Sequence, residues 1–132
     1  MAEGKVLTGA GLRGQVAGKT ALSTVGKSGA GLTYRGYDVQ DLAENCQFEE
    51  VAYLIFFGEL PNKKELEAYK AKLKSLRSLP QALKEVLERI PANSHPMDVM
   101  RTGVSMLGNL ETESSFADQQ DVADRILATL PA

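Results

Sequence analysis

The stretch Leu32-Thr33-Tyr34-Arg35-Gly36-Tyr37-Asp38-Val39-Gln40-Asp41-Leu42-Ala43 is where the chain changes period. Before it, short β-branched and aromatic runs alternate with glycines. Residues 20–25 and 32–35 read as two strands. Gly26-Lys27-Ser28-Gly29-Ala30-Gly31 between them supplies the positive φ angles that a reversal needs. A hairpin over roughly 16–36 follows. After it, Val39, Leu42, Ala43 and Cys46 recur at helical spacing, with Asp38 as the N-cap. Tyr34-Arg35-Gly36-Tyr37 therefore reads as a strand-to-helix junction.

Helical signals continue from there. Residues 48–57 are apolar nearly all round, which predicts a helix buried on most sides. Gly58 supplies a left-handed stop and Pro61 prevents continuation. Asn62 and Glu65 have capping-box spacing, and Leu66, Tyr69, Leu73 and Leu76 form the next apolar stripe. Leu79-Pro80 breaks that helix. Leu83, Val86, Leu87 and Ile90 mark a short helix ending before Pro91. Pro96 suits the first turn of another, lined by Met97, Met100, Val104 and Leu107 and interrupted by Gly103 and Gly108. Ser115 with Asp118 signals a last start, with Val122, Ile126, Leu127 and Leu130 as its stripe. Residues 111–115 read as the most exposed connection. The expected fold is mainly α, a short β-hairpin near the N-terminus followed by helices over about 38–130.

Composition narrows the function classes. The chain has 132 residues, 43% of them apolar, enough for one packed domain. Fifteen basic and 17 acidic residues leave a net charge of −2, which asks for neither nucleic acid nor an anionic membrane. Cys46 is the only cysteine, so no internal disulfide forms. Met1-Ala2-Glu3-Gly4-Lys5 does not lead into an apolar leader, and residues 51–57 are far too short a run for a membrane span. A cytoplasmic protein is the default expectation.

Candidate chemistry is sparse. Gly18-Lys19-Thr20 and Gly26-Lys27-Ser28 imitate a phosphate loop, but the glycine needed five residues earlier is Arg13 or Ala21. A hairpin turn is the better reading. His95 is the only histidine, so it has no histidine or cysteine pair with which to hold a metal. It suits a general base by type, but a place just before a helix-opening proline favours a cap or a packed role. Lys63, Lys64, Lys70, Lys72, Lys74 and Arg77 cover one helix, interleaved with Glu65 and Glu67 as on a solvated face. Lys70, Lys74 and Arg77 are spaced for a shared anion contact. Arg13, among glycines in Gly11-Leu12-Arg13-Gly14, suits phosphate or is a surface arginine. The helix over 96–109 sets Met97, Met100 and Met106 beside Gly103, Ser105 and Gly108, a surface for close helix approach within the core or between subunits.

Taken in order, several blocks resemble the N-terminal part of the citrate synthase family. They are Gly11-Leu12-Arg13-Gly14, Thr20-Ala21-Leu22-Ser23, Leu32-Thr33-Tyr34-Arg35-Gly36-Tyr37-Asp38, Phe48-Glu49-Glu50-Val51-Ala52-Tyr53-Leu54, Gly58-Glu59-Leu60-Pro61 and His95-Pro96-Met97-Asp98-Val99-Met100-Arg101-Thr102. Thr24-Val25-Gly26-Lys27-Ser28-Gly29 and the run from Ser94 to Ser105 resemble the 2-methylcitrate synthases of bacteria more than plain citrate synthases.

The resemblance implies a citrate synthase-like helical fold, with residues 1–132 as the N-terminal segment of the large domain. It implies homodimers that condense propionyl-CoA or acetyl-CoA with oxaloacetate. In such enzymes an aspartate takes the α-proton of the thioester, one histidine steadies the enolate and a second activates the ketone. Acyl-CoA is then a substrate, and no cofactor or metal is implied. The catalytic histidines and aspartate belong to later parts of the family's chain, so none is assigned here. His95 matches a helix-start histidine outside the catalytic set. Arg13 matches a position that touches CoA phosphate in some relatives and not in others, Lys74 is carried as a second candidate contact, and the helix over 96–109 matches one at the dimer interface. The chain is thus expected to be an inactive scaffold segment, cut at Pro131-Ala132 within a longer protein. The competing expectation is a stand-alone helical interaction module.

Overall fold

A computed structural model of the chain describes residues 16, 18–26 and 31–132. Its residues group into two compact units, 1–46 and 47–132. In the first, β1 (Ser23–Val25), β2 (Leu32–Tyr34) and β3 (Tyr37–Asp38) form an antiparallel sheet in that order, followed by α1 (Val39–Asn45). β1 and β2 pair in the register Ser23↔Tyr34, Thr24↔Thr33 and Val25↔Leu32. The Arg35 N–H extends the ladder to the Leu22 carbonyl at 2.8 Å. Thr24 and Thr33 meet hydroxyl to hydroxyl at 2.5 Å, and Thr33 is buried. The hairpin is thus present with shorter strands than expected. Residues 27–30 of its loop lie outside the described residues.

Tyr34-Arg35-Gly36-Tyr37 differs from its reading as a strand-to-helix junction. Tyr34 pairs with Tyr37, so Arg35-Gly36 is a two-residue hairpin loop. Both residues have positive φ, 50° and 93°, as a type I′ turn requires. Such a turn matches the twist of its flanking strands, which is why β3 forms before the helix begins. Gly36 accepts this backbone without a Cβ clash. Gly36→Ala is expected to cost the first unit about 1 kcal/mol. Amide exchange across β2 and β3 checks it, and unchanged protection would contradict the turn assignment. Asp38 then caps α1, its Oδ1 accepting from the Gln40 N–H at 2.8 Å.

The second unit is helical. It comprises α2 (Phe48–Phe57), α3 (Lys63–Ser75), α4 (Gln81–Glu88), α5 (Pro96–Leu110), a 3₁₀ turn (Phe116–Asp118) and α6 (Gln119–Thr129). Each start has a local cause. Gln47 and Glu50 form a capping box for α2, and Asn62 with Glu65 forms the one expected for α3. Gly58 ends α2 at φ 94°, in the left-handed region. Ser115 and Asp118 cap as read, but they open the 3₁₀ turn, with α6 following directly.

Packing departs from the pattern in two places. α2 buries only Ala52 and Leu54 fully, while Phe48 and Phe57 stay exposed, so the described residues cover one side of it. α5 runs unbroken through Gly103 and Gly108. Gly103 faces α4 there, and a Cβ on it would sit 3.5 Å from Leu87 Cδ2. The core lies between α2, α3 and α6: Ala52, Tyr69, Leu73 and Ala128, flanked by Tyr53, Leu76 and Leu127. Tyr53, Phe57 and Tyr69 cluster at ring distances of 4.3–5.9 Å, with Tyr69 edge-on to the other two.

Candidate functional site

On α3, Tyr69 and Lys72 are three residues apart and share a face. Asp124 of α6 lies against them, fully buried. Its Oδ1 accepts from the Tyr69 hydroxyl at 2.9 Å and from Gln120 Nε2 at 3.3 Å. Its Oδ2 accepts from Lys72 Nζ at 2.7 Å, and Lys72 also donates to Asp121 at 3.0 Å. A buried carboxylate persists when both oxygens are met in this way. Burial, and then the bond to Asp124, pushes the Tyr69 phenol well above its ordinary range. The bond to Asp124, followed by that to Asp121, holds the Lys72 ammonium above its ordinary value. This cluster couples α3 to α6.

A second cluster ties two helix ends to α6. Arg125 of α6 forks onto Glu111, with Nε to Oε2 at 2.8 Å and Nη2 to Oε1 at 2.6 Å. Its Nη1 donates to the carbonyls of Leu76 and, at 2.9 Å, Ser78. The ends of α3 and α5 are thereby fixed to the middle of α6. The hydrogen bond from Arg125 lowers Glu111 below the ordinary glutamate value of 4.5. A lowered carboxylate contributes stability that is complete above its unfolded value and lost as pH falls through the folded one. Melts between pH 6 and 3 are therefore expected to lose stability below about 4.5. Glu111→Gln, lacking the charge, is expected to flatten that limb; an identical limb would exclude the fork as its source.

The open surface of this unit centres on α5. Met97, Met100 and Val104 are exposed along one stripe, while Leu107, the next in register, is buried. A groove of about 240 Å³ runs beside them between Leu83 and Leu87 of α4 and the end of α6 at Thr129 and Leu130. A second groove of about 500 Å³ continues past Val104 and Gly108 to Val122, Arg125 and Ile126.

Arg13, named from sequence, lies outside the described residues. Lys74 is on the exposed side of α3, and its ammonium has no partner among the described residues. Its neighbours Lys70 and Arg77 pair instead with Glu67 at 3.7 Å and Glu49 at 3.8 Å. His95 is exposed and caps α5, its Nδ1 accepting from the Met97 N–H at 3.1 Å. The described residues contain no cluster of metal-binding side chains and no helix long and apolar enough to cross a membrane. Asp124, Arg125 and Glu111 were not legible as a network. The available signal was Asp124 at helical spacing from Ala128, an acid in an inward register.

This arrangement is a helical scaffold with an open apolar flank and buried polar ties, and comparison with known proteins gives its class. A family model described as "Citrate synthase, C-terminal domain" matches residues 11–132. The chain belongs to the citrate synthase family. Within that family it is 2-methylcitrate synthase-like: it is 73% identical to a 2-methylcitrate synthase of Shewanella oneidensis over 132 residues, covering 100% of this chain and 35% of that protein. It is 44% identical to 2-methylcitrate synthase 2 of Corynebacterium glutamicum over 124 residues, covering 92% of this chain and 32% of that one. The crystal structure of citrate synthase from Thermotoga maritima superposes with a TM-score of 0.78 at 32% identity, over 92% of this chain and 32% of that chain. The chain thus spans about a third of the length of these relatives.

Proposed function

We propose that these residues form the N-terminal scaffold of an enzyme that condenses propionyl-CoA with oxaloacetate to 2-methylcitrate and CoA. The observation that carries this reading is the 73% identity to the Shewanella oneidensis enzyme across all 132 residues. The segment contributes structure to that reaction. Its one histidine is engaged as the cap of α5. The buried acid Asp124 is already met by three donors on its own and the neighbouring helix. The exposed stripe of α5 supplies the face for pairing with a second subunit. Arg13 and Lys74 are the residues proposed to meet the CoA phosphates, Lys74 as a cation with no partner among the described residues. A second reading, condensation of acetyl-CoA to citrate, is favoured by the likeness to the Thermotoga maritima structure.

Two assays test the proposal. The 132-residue chain with oxaloacetate and propionyl-CoA is expected to release no free thiol above background; steady release would overturn the scaffold role. Grafted in place of the matching third of the Shewanella oneidensis enzyme, the same residues are expected to preserve kcat/KM for propionyl-CoA within about tenfold, a change of ~1.4 kcal/mol. A soluble, folded graft without condensation would overturn the assignment. A graft that prefers acetyl-CoA would favour the second reading.

A further inference from the structure

We propose that His95 is a proton-operated cap: protonation of its imidazole releases the first turn of α5, and Met97 and Met100 with it. The other side-chain caps use Asp38, Gln47, Asn62 and Ser115, and their oxygens still accept a hydrogen bond throughout the neutral range. His95 caps through Nδ1, at 3.1 Å from the Met97 nitrogen. A neutral imidazole accepts there, whereas an imidazolium has only donors. Imidazole is also the ordinary side chain whose charge changes between pH 5 and 8.

The first turn depends on that acceptor. Pro96 has no N–H, and the amides of Asp98 and Val99 donate to the His95 carbonyl at 2.9 and 3.2 Å. Met97 is therefore the first-turn donor that relies on the side chain. Protonation sets two donors against each other and places a positive charge at the positive end of the helix dipole. The surrounding charges do not offset this. Asp98, on α5 itself, is paired with Arg101 at 3.2 Å. The packed helix α4 carries Lys84, Glu85 and Glu88, with Arg89 after it, and none of them bonds to His95. The connection Pro91-Ala92-Asn93-Ser94 holds no ionisable side chain. His95 is solvent-exposed, so the proton has free access.

The consequence for assembly rests on the proposed pairing through α5. Met97 and Met100, in the first two turns, head the exposed stripe. Loosening those turns blurs the surface and weakens association at acid pH. The test is amide-proton exchange at Met97, corrected for intrinsic rate, at pH 7.5 and 5.5. Wild-type protection is expected to fall about fivefold, the worth of a typical N-cap. His95→Asn, which keeps an acceptor at both pH values, is expected to show no fall; His95→Ala is expected to be low at both. Equal wild-type protection at the two pH values, or the same fall in His95→Asn, overturns the cap. Sedimentation in parallel is expected to show weaker association at pH 5.5 for wild type and not for His95→Asn. The expected exchange without any association overturns the pairing reading and leaves the cap standing.

Discussion

Replacing Lys72 with methionine is expected to lower the unfolding free energy by about 3 kcal/mol, more than removing any other single cation of α3. The reason is Asp124. Its carboxylate has no solvent access, and Lys72 is its only cationic partner among the described residues. Without the ammonium, the charge is left with a phenol and a primary amide. Lys72 itself is partly exposed, which lets water enter and keeps the loss toward the low end for a broken buried pair. Tyr69→Phe removes one neutral donor to the same carboxylate and is expected to cost about 1–2 kcal/mol. Removing the whole polar set should be far milder than removing the cation alone. The triple substitution Tyr69→Phe, Lys72→Met and Asp124→Leu leaves no buried charge and is expected within about 1–2 kcal/mol of wild type. Urea melts of the three variants check the order, and a triple variant as unstable as Lys72→Met would exclude unpaired charge as the cause. The pH dependence has a definite sign. A cation held above its unfolded value contributes fully below that value, 10.5 for Lys72, and the contribution fades as pH rises beyond it.

The helices were legible in the sequence because their signals are local. Asp38, Asn62 with Glu65, Gly58 and Pro96 each act within a turn of their own position, and each acts as read. The stripe Leu66, Tyr69 and Leu73 is buried as its spacing predicts. The Arg35-Gly36 turn was misread because the strand it creates, Tyr37–Asp38, is too short to show a period. Gly103 and Gly108 do not interrupt α5; a helical glycine costs only roughly 1 kcal/mol, and at Gly103 the helix packs against Leu87 of α4. The inward face of α6 was the larger miss. Apolar spacing selects Val122, Ile126, Leu127 and Leu130; Leu127 does flank the core, but the residues the chain buries fully are Asp124, Ala128 and Thr129. A polar residue enters a core only with its partners, and those partners lie on α3, some fifty residues away in sequence. No one-dimensional period records that pairing. The apolar stripe of α5 was legible from its spacing, and along it Met97, Met100 and Val104 are exposed while Leu107 is buried.

Arg125→Ala is expected to destabilise the second unit by about 2–3 kcal/mol and to loosen the end of α5 in particular. Four hydrogen bonds leave with the guanidinium: two to Glu111 and one each to the Leu76 and Ser78 carbonyls. Those carbonyls lie just past α3, where helix-terminal acceptors have no intrahelical donor. The side chain is mostly buried, so water replaces these bonds poorly. Arg125→Lys is a sharper test of the geometry. A lysine preserves the charge but has neither the planar fork for Glu111 nor a second arm for the carbonyls. It is expected to recover less than about half of the loss. Glu111→Gln isolates the ionic part and is expected to cost about 1 kcal/mol at neutral pH. Hydrogen exchange would localise the effect. Amides of residues 107–111 should lose protection in Arg125→Ala while those near Met97 do not, because the clamp holds the C-terminal end of α5 and His95 holds the other. If the two ends loosen together, α5 behaves as one rigid unit, and Arg125 governs the whole of the exposed stripe.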